Sequence, residues 1–326
     1  MRRIITNKTA RIDSILLADA FENFLRSKAA QNLSKATISC YSHSFKYYEA
    51  AVRENINRIY ETYLQEEPPQ YLTLDEALNI EQIETWVSNM LKEGKKPTSI
   101  NHYIRDIRTF ANWCADRDYI NPIKKIKLIK QQEPLPKCFS DEELKAILRK
   151  PKREANFVEW RNWAIANFGL DTGFRAASIC NIKLSDIDFK NKTIALTYSK
   201  TNIANYIGLS GMLEKVLREY IFRYGAFIRD NSPLFPTSAN TKLTSESLSH
   251  SFNKYCKERG SETTSVHSLR HSFARNYIRN GGNMAKLQKI LGHSTMEMTR
   301  KYVALFGEDI KEDFDRFSPL NNIACW

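Results

Sequence analysis

The chain has 326 residues, of which 42% are hydrophobic and 26% are charged, and its 49 Lys and Arg outnumber its 37 Asp and Glu. Length and composition predict about two globular domains and exclude a disordered chain, a collagen-like chain and a simple repeat protein. The formal net charge of +12 favours a polyanionic partner, with DNA or RNA first, although a basic surface that serves only solubility has the same composition.

The sequence predicts neither a membrane protein nor a cysteine-based site. No apolar run approaches the ~20 residues that a transmembrane helix needs, and residues 1–6 lack the apolar stretch of a secretory signal. The six cysteines are scattered without a C-x-x-C pair, which is typical of reduced thiols rather than of disulfides or a zinc site. We therefore expect a cytoplasmic protein with no membrane partner.

The first part of the chain predicts a short basic arm at 1–13 and an all-helical domain at 14–123. Ser34 is placed to cap a helix. Apolar residues recur at helical spacing in four segments, which are 15–28, the stretch after Ser34, 81–92 and 98–117.

Basic residues cluster toward the end of this helical domain. Arg105 and Arg108 share the polar face of the last helix, and Lys95 and Lys96 lie just before it. These four side chains form a candidate DNA-contact surface, although a solvated helix face gives the same pattern. Contacts of this kind position a protein on phosphates rather than reading bases.

A basic, proline-broken segment at 124–137 predicts the interdomain linker, followed by a second domain at 138–306. Ser140 and Glu143 predict a capping box that opens its first helix. Short strands are expected within 183–210. The predicted fold is therefore mainly α: a two-domain clamp with a helical DNA-binding domain and a mostly helical domain that carries a small antiparallel β-sheet.

Four segments of the second domain concentrate hydrogen-bond donors. Gly173 predicts a turn before Arg175 at the start of a helix, where a guanidinium and free backbone N–H groups suit a phosphate. Lys200 is expected at the tip of a β-hairpin. Taken singly, an arginine after a turn and a lysine on a hairpin are usually solvated surface residues.

The third segment reads His-Ser-Leu-Arg-His and places His267 on one helix face with both Arg270 and His271. Metal binding by the two histidines is the rival interpretation, but no carboxylate or cysteine follows at a matching spacing, so we expect no metal. In the fourth, Gly292 ends a helix just before His293, and Tyr302 follows nine residues after His293 in a short helix.

In this order, the four segments resemble the tyrosine site-specific recombinases of the phage integrase family. The resemblance spans about 140–305, and the part from His267 to Tyr302 is the most specific, because so many matches in the right order are not expected by chance. The helical domain before it is similar to the family's core-binding domain in length and position.

The resemblance implies a role for each matching residue. Arg175 and Arg270 become the two catalytic arginines that hold the scissile phosphate, and Tyr302 becomes the nucleophile. His267 is then the candidate base for the tyrosine, and His293 donates to a phosphate oxygen. No residue of this set is missing from the sequence.

Lys200 matches the family's hairpin lysine, which is expected to protonate the leaving 5′ oxygen; Lys190 and Lys192 are its rivals. One departure concerns Ser178, which stands where the family usually has an acidic residue. Because that residue supports the arginine rather than reacting, we expect activity to survive.

The implied reaction cleaves and rejoins DNA strands through a 3′-phosphotyrosyl intermediate, and it retains the bond energy, so no cofactor, ATP or metal is expected. The implied partners are double-stranded DNA, three further copies of the chain in a tetramer, and accessory DNA-bending or directionality proteins. An amphipathic tail helix at 307–326 is expected to dock on a neighbouring copy or on its own domain.

Several functions share these residues. Integration or excision of a mobile element and resolution of DNA multimers stay open. A non-catalytic DNA-binding regulator and a type IB-like, DNA-relaxing transesterase are alternatives on the same fold.

Overall fold

The computed structural model describes residues 15–123, 126–131, 135–196, 205–225, 231–293 and 295–303. The chain divides into two compact units, Met1–Glu133 and Pro134–Trp326, and this division falls within the predicted linker. The predicted N-terminal arm, Lys200 and the predicted tail helix lie outside the described residues. None of the described helices is long and apolar enough to cross a membrane.

Helices form most of the described part of the first unit, together with connecting segments and one isolated β-bridge between Leu16 and Thr73. Ser34 caps the second helix as predicted, because its hydroxyl accepts a hydrogen bond from the Thr37 backbone N–H at 3.1 Å. The helices are α1 (Leu17–Ala30), α2 (Lys35–Ile59), α3 (Leu74–Ala77), α4 (Ile80–Lys92) and α5 (Pro97–Ala115), with a π-helical turn at Tyr60–Leu64.

Aromatic rings fill the core of the first unit. Phe21 stacks on Phe45 with 3.6 Å between ring centroids, and Phe110 meets Phe21 edge-on at 5.3 Å. The start of the predicted linker also belongs to this unit: the Asn101 side chain on α5 donates to the Ile129 carbonyl at 2.9 Å and accepts from the Ile129 N–H at 2.8 Å. This pair of hydrogen bonds holds the basic segment after α5 against the helix.

The second unit combines helices with a small sheet. Its first helix begins with the predicted capping box, in which Ser140 and Glu143 each bond the other's backbone N–H. The helices are α6 (Asp141–Leu148), α7 (Phe157–Thr172), α8 (Ala176–Asn181), α9 (Gly211–Tyr224), α10 (Ser245–Glu258), α11 (Val266–Arg279), α12 (Met284–Leu291) and α13 (Glu297–Val303).

Three antiparallel strands form the sheet, in the order β1 (Ile187–Asp188), β2 (Thr193–Leu196) and β3 (Asn205–Gly208). The register places Ile194 opposite both Ile187 and Ile207, and all three side chains are buried. One face of the sheet therefore joins the core. The predicted fold class, mainly α with a small antiparallel sheet, is confirmed.

Helix α7 runs through the core of the second unit, and most of its residues are buried. Gly169 lets α11 approach it closely, since a Cβ at this position would stand only 2.9 Å from the Leu269 side chain. Leu269 is fully buried at this contact. The close approach fixes α11, and with it the donors that surround Leu269 in sequence, against the end of α7.

Candidate active site

An open cavity in the second unit gathers most of the site residues predicted from the sequence. Its walls come from the segment before α6, the turn before α8, helix α11, the turn after α12, and α13. The lining residues are Pro136, Arg175, His267, Arg270, His271, His293, Met298, Lys301 and Tyr302. Arg175, His267, Arg270, His293 and Tyr302 are thus brought together, whereas Lys200 lies outside the described part of the chain.

A glycine turn positions Arg175. Gly173 ends α7 with a φ of +65°, a backbone conformation that a side chain would strain, and a Cβ there would also overlap the Phe273 ring. Arg175 follows in extended conformation as the N-cap of α8, and its side chain is exposed at the cavity. The turn therefore aims a guanidinium at the cavity beside the first backbone N–H groups of a helix.

Arg270 is buried, with 3% of its surface exposed, and two helix ends hold it. Its guanidinium donates to the Gly173 carbonyl at 2.8 Å and to the Leu291 carbonyl at 2.7 Å. Burial and the nearby Arg175 lower the Arg270 pKa to about 10, which leaves the group charged at neutral pH. These bonds fix the guanidinium plane and join the end of α7 to the end of α12.

Two histidine rings lie one turn apart on α11, as their spacing predicts. The rings of His267 and His271 meet edge to face with 4.5 Å between centroids. Burial lowers the pKa of both, with Arg270 adding to the effect, and the pKa of His271 falls to about 4. Both rings are therefore mainly neutral near pH 7 in the free protein.

His293 follows the predicted glycine stop at the end of α12. Gly292 has a φ of +61°, and His293 comes next, with its Nδ1 2.9 Å from the Thr299 hydroxyl. Thr299 is fully buried on α13. Burial, followed by Arg270 and Arg175, lowers the His293 pKa to about 4. The Thr299 contact fixes one ring nitrogen and leaves Nε2 for the cavity.

Tyr302 is 3% exposed, and its ring packs with the apolar side chains of Leu287 and Leu291. Its hydroxyl lies 2.9 Å from Nδ1 of His271. Burial raises the pKa of the phenol, while Arg270 acts in the opposite direction. The phenol is therefore protonated at rest, and it already has an imidazole to which it can donate.

The candidate DNA-contact residues belong to the first unit, whereas the cavity is formed by residues of the second. Arg105 and Arg108 are exposed on α5, and Lys96 is exposed just before it. Lys95 is engaged instead: its ammonium lies 2.8 Å from the Glu93 carboxylate and 5.0 Å from the centre of the Tyr47 ring. Lys95 therefore has less freedom than the other three to contact a phosphate.

The described residues contain no group of three or more His, Cys, Asp or Glu side chains arranged to hold a metal ion. The chemistry that this cavity can offer comes instead from charged donors, imidazoles and a phenol. Guanidinium groups bind the nonbridging oxygens of a phosphate diester, and a phenol can attack its phosphorus.

Residues 137–308, more than half of the chain, match the phage integrase family. The chain belongs to this family. The matched range holds the cavity residues from Arg175 to Tyr302, and it agrees with the resemblance read from the sequence motifs.

The chain is similar to tyrosine recombinase XerC of Corynebacterium glutamicum. The two sequences are 24% identical over a region that covers 72% of the chain and 76% of the relative. Tyrosine recombinase XerD of Listeria innocua is 24% identical over 93% of the chain and 98% of the relative. A solved lambda integrase tetramer bound to a Holliday junction shares the fold, with a TM-score of 0.66 and 17% identity over 89% of the chain and 78% of that protein.

The structure adds two residues, His271 and Thr299, to the candidate active site predicted from the sequence motifs. The sequence spacing marks His271 only as a helical neighbour of His267 and a possible metal ligand, whereas in the structure its Nδ1 lies 2.9 Å from the Tyr302 hydroxyl. Thr299 gave no signal in the sequence, because nothing in its local pattern relates it to His293. Both contacts depend on how α11, α12 and α13 pack.

Proposed function

We propose that the chain is a site-specific DNA recombinase, an enzyme that cleaves a DNA strand and joins it to another through a 3′-phosphotyrosyl intermediate. The observation that carries the proposal is the cavity itself. Two arginines, three histidines and a tyrosine from four separate segments line it together. Family membership and the tyrosine recombinase relatives support the same reaction.

The arginines stabilise the pentavalent phosphorane that forms when the phosphorus is attacked. Arg270 uses two of its N–H groups on backbone carbonyls, which fixes the direction of the remaining ones. Arg175 reaches the cavity from the exposed side. A preorganised, permanently charged fork suits the nonbridging oxygens better than a lysine would, since the fork makes two parallel hydrogen bonds.

Tyr302 is the nucleophile. Its phenolic oxygen forms a bond to phosphorus while the bond from phosphorus to the 5′ oxygen breaks, which leaves a 3′-phosphotyrosyl link and a 5′ hydroxyl. The number of phosphate ester bonds is unchanged, so a 5′ hydroxyl from another strand can reverse the step and complete the exchange. Lys200 is the proposed acid on the leaving oxygen, and His293 donates to a phosphate oxygen. The family resemblance assigns the role of base to His267.

The partners follow from this chemistry. Double-stranded DNA is the substrate, and exchange between two duplexes needs four nucleophiles, which supports a homotetramer on paired sites. The similar lambda integrase was solved as a tetramer bound to a Holliday junction. We propose that the helical domain at 14–123 grips the duplex while the domain at 138–306 performs the chemistry. The cytoplasm is the proposed location of the enzyme.

Replacing Tyr302 by Phe tests the reaction directly. A duplex with a nick beside the scissile phosphate loses its short fragment after cleavage and traps the covalent adduct. We expect the wild-type chain to form a protease-sensitive adduct, and Tyr302→Phe to form none while still binding DNA, because the ring packs as before. Tyr277→Phe, on α11 and not among the cavity residues, is the matched control and should react normally.

An adduct formed by Tyr302→Phe would assign the nucleophile to another residue. If the wild-type chain binds the DNA but forms no covalent adduct, the alternative function of a non-catalytic DNA-binding regulator would be favoured. Cleavage followed only by relaxation of supercoiled DNA, without exchange between two sites, would favour the relaxing transesterase.

Removing Arg105 and Arg108 tests the proposed DNA-contact surface. Each arginine that neutralises a phosphate adds ~0.9 to the slope of log K against log salt. We expect the double alanine variant to bind more weakly on every sequence and to lose up to ~2 from that slope. Arg26→Ala is the control, because Arg26 is an exposed arginine on α1 that already pairs with Glu22 at 3.3 Å. An unchanged slope would remove these residues from the interface.

A further inference from the structure

The hydroxyl of Tyr302 has an imidazole partner outside the residue set that the family resemblance supplied. His271 Nδ1 lies 2.9 Å from Tyr302 Oη, which is direct hydrogen-bonding distance. Both side chains are held in place. Tyr302 is buried against the apolar cluster of α12, and the His271 ring packs edge-on against His267.

We propose that His271 is a catalytic residue, the base that takes the proton of Tyr302 as its oxygen attacks the phosphate. The proposal rests on the proposed function. In the forward step the Tyr302 O–H bond breaks, the proton moves to Nδ1 of His271, the bond from Oη to phosphorus forms, and the bond from phosphorus to the 5′ oxygen breaks as that oxygen takes a proton from the general acid of the proposed reaction. On rejoining, the His271 imidazolium returns the same proton to Tyr302.

Geometry favours His271 over His267 for this role. Both histidines line the cavity, but His267 is exposed whereas His271 is partly buried, and it is His271 whose Nδ1 lies 2.9 Å from the Tyr302 hydroxyl. The hydroxyl of Tyr302 therefore points at His271 while the ring of His267 faces the space that a phosphate would fill. In this proposal the two histidines of α11 have different roles: His267 donates to the phosphate, and His271 accepts the proton of Tyr302.

The charges around His271 explain how it acts only when DNA is bound. From its own helix it faces His267 and Arg270, from α13 Tyr302 and Lys301, from the turn before α8 Arg175, and from the end of α12 His293. Burial, followed by His267 and Arg270, lowers the pKa of His271 to about 4 and keeps the imidazole neutral in the free protein. A bound phosphate anion offsets the arginines, so the imidazole becomes a stronger base as the substrate arrives.

His271→Asn separates proton transfer from positioning, because an amide can still bond the phenol but does not accept a proton at neutral pH. The measurement is the single-turnover rate of adduct formation on the nicked duplex between pH 6 and 9. Because the His271 imidazole accepts the proton, the wild-type rate should depend on pH much less steeply than a rate that depends on tyrosinate formation.

The His271→Asn rate should be lower at pH 7 by ~10²–10⁴-fold, the usual size of a proton-transfer contribution, and should rise about tenfold per pH unit as tyrosinate forms. His250→Asn, at an exposed histidine on α10, is the matched control and should follow the wild type. Parallel profiles for His271→Asn and wild type would reduce His271 to a positioning residue and overturn the proposal. A wild-type chain that forms no adduct would instead overturn the recombinase function.

A second measurement needs no variant. The proposed transfer requires that Nδ1 of His271 be unprotonated in the resting protein, with the ring proton on Nε2. Nitrogen NMR of histidine-labelled wild-type protein at pH 7 reports the protonation of each ring nitrogen. A proton on Nδ1 in the DNA-bound protein would make the imidazole a donor to Tyr302 and would overturn the proposal.

Discussion

The two units differ in the polar groups that they bury. The first unit fills its core with aromatic rings, and its buried polar side chains among the described residues are Ser44 and Asn101. The second unit buries two arginines, Arg161 and Arg270, each only 3% exposed. Burying a charge is costly unless it is well bonded, so the second unit must gain something from these two residues that the first does not need.

The partners of the buried arginines show what is gained. Arg161 donates to the Pro236 carbonyl at 2.9 Å, and Arg270 donates to the carbonyls of Gly173 and Leu291. A carbonyl orients a guanidinium without neutralising it, whereas a carboxylate would cancel the charge. Arg270 is therefore rigid and still fully cationic beside the cavity, which is the state that phosphate binding requires.

One buried tyrosine in each unit shows the same difference, because the two hydroxyls have different hydrogen-bond partners. In the first unit, Tyr48 is fully buried, donates to the Ala77 carbonyl at 2.6 Å, and has a pKa that burial raises far above its usual range. In the second unit, Tyr302 is as well buried but meets the ring nitrogen of His271, and Arg270 counteracts part of the desolvation. Burial alone fits Tyr48 for a structural role, whereas the neighbouring imidazole and guanidinium fit Tyr302 for the role of nucleophile that we propose.

Among the variants that test the difference between the two units, we expect Arg270→Ala to reduce the rate of adduct formation most. Removing one preorganised donor to a developing oxyanion costs ~10²–10³-fold in rate, and Arg270 supplies more than one donor. We therefore expect adduct formation to slow by at least ~10²-fold, with DNA binding less affected. Losing the partner of each carbonyl also costs ~1–3 kcal/mol of stability, so unfolding in urea is measured alongside.

Arg270→Lys serves as the conservative variant. It keeps the charge, but a single ammonium cannot bond both the Gly173 and Leu291 carbonyls as the fork does. Its rate should fall between those of Arg270→Ala and wild type. A well-folded Arg270→Ala with a wild-type rate would make Arg270 purely structural, like Arg161.

Local signals in the sequence predicted most of this framework. The Ser34 cap, the Ser140–Glu143 capping box and the glycine stop at Gly292 each depend on residues within a few positions, so the pattern suffices. The partners of Arg270 and Tyr302 could not be predicted in this way. Arg270 and Gly173 are far apart in sequence and meet because Gly169 lets α11 pack closely on α7.

In the first unit, we expect Asn101→Ala to reduce stability without changing the chemical step. The Asn101 amide makes two hydrogen bonds to the Ile129 backbone, and losing it leaves that backbone partly unsatisfied. We expect the first unit to lose ~1–3 kcal/mol of unfolding free energy. Asn112→Ala, at an exposed asparagine on the same helix, should change little.

We expect Asn101→Ala to change adduct formation only where it weakens DNA binding. Adduct formation at saturating DNA should keep its wild-type rate and its pH dependence, because no cavity residue belongs to the first unit. A slower rate at saturating DNA would mean that the segment after α5 acts on the chemistry as well as on stability.

The smallest effect is expected from Thr299→Val, which tests whether the second unit needs its buried hydroxyls for chemistry. Thr299 is fully buried, and its Oγ1 lies 2.9 Å from Nδ1 of His293. Valine keeps the shape but removes the hydrogen bond, which is worth ~0.5–1.5 kcal/mol, so adduct formation should slow about 3- to 10-fold as His293 loses its fixed orientation. Thr299→Ser retains the hydroxyl and should stay closer to wild type. If both variants slow the reaction equally while unfolding as the wild type does, the methyl group of Thr299, rather than its hydrogen bond, positions His293.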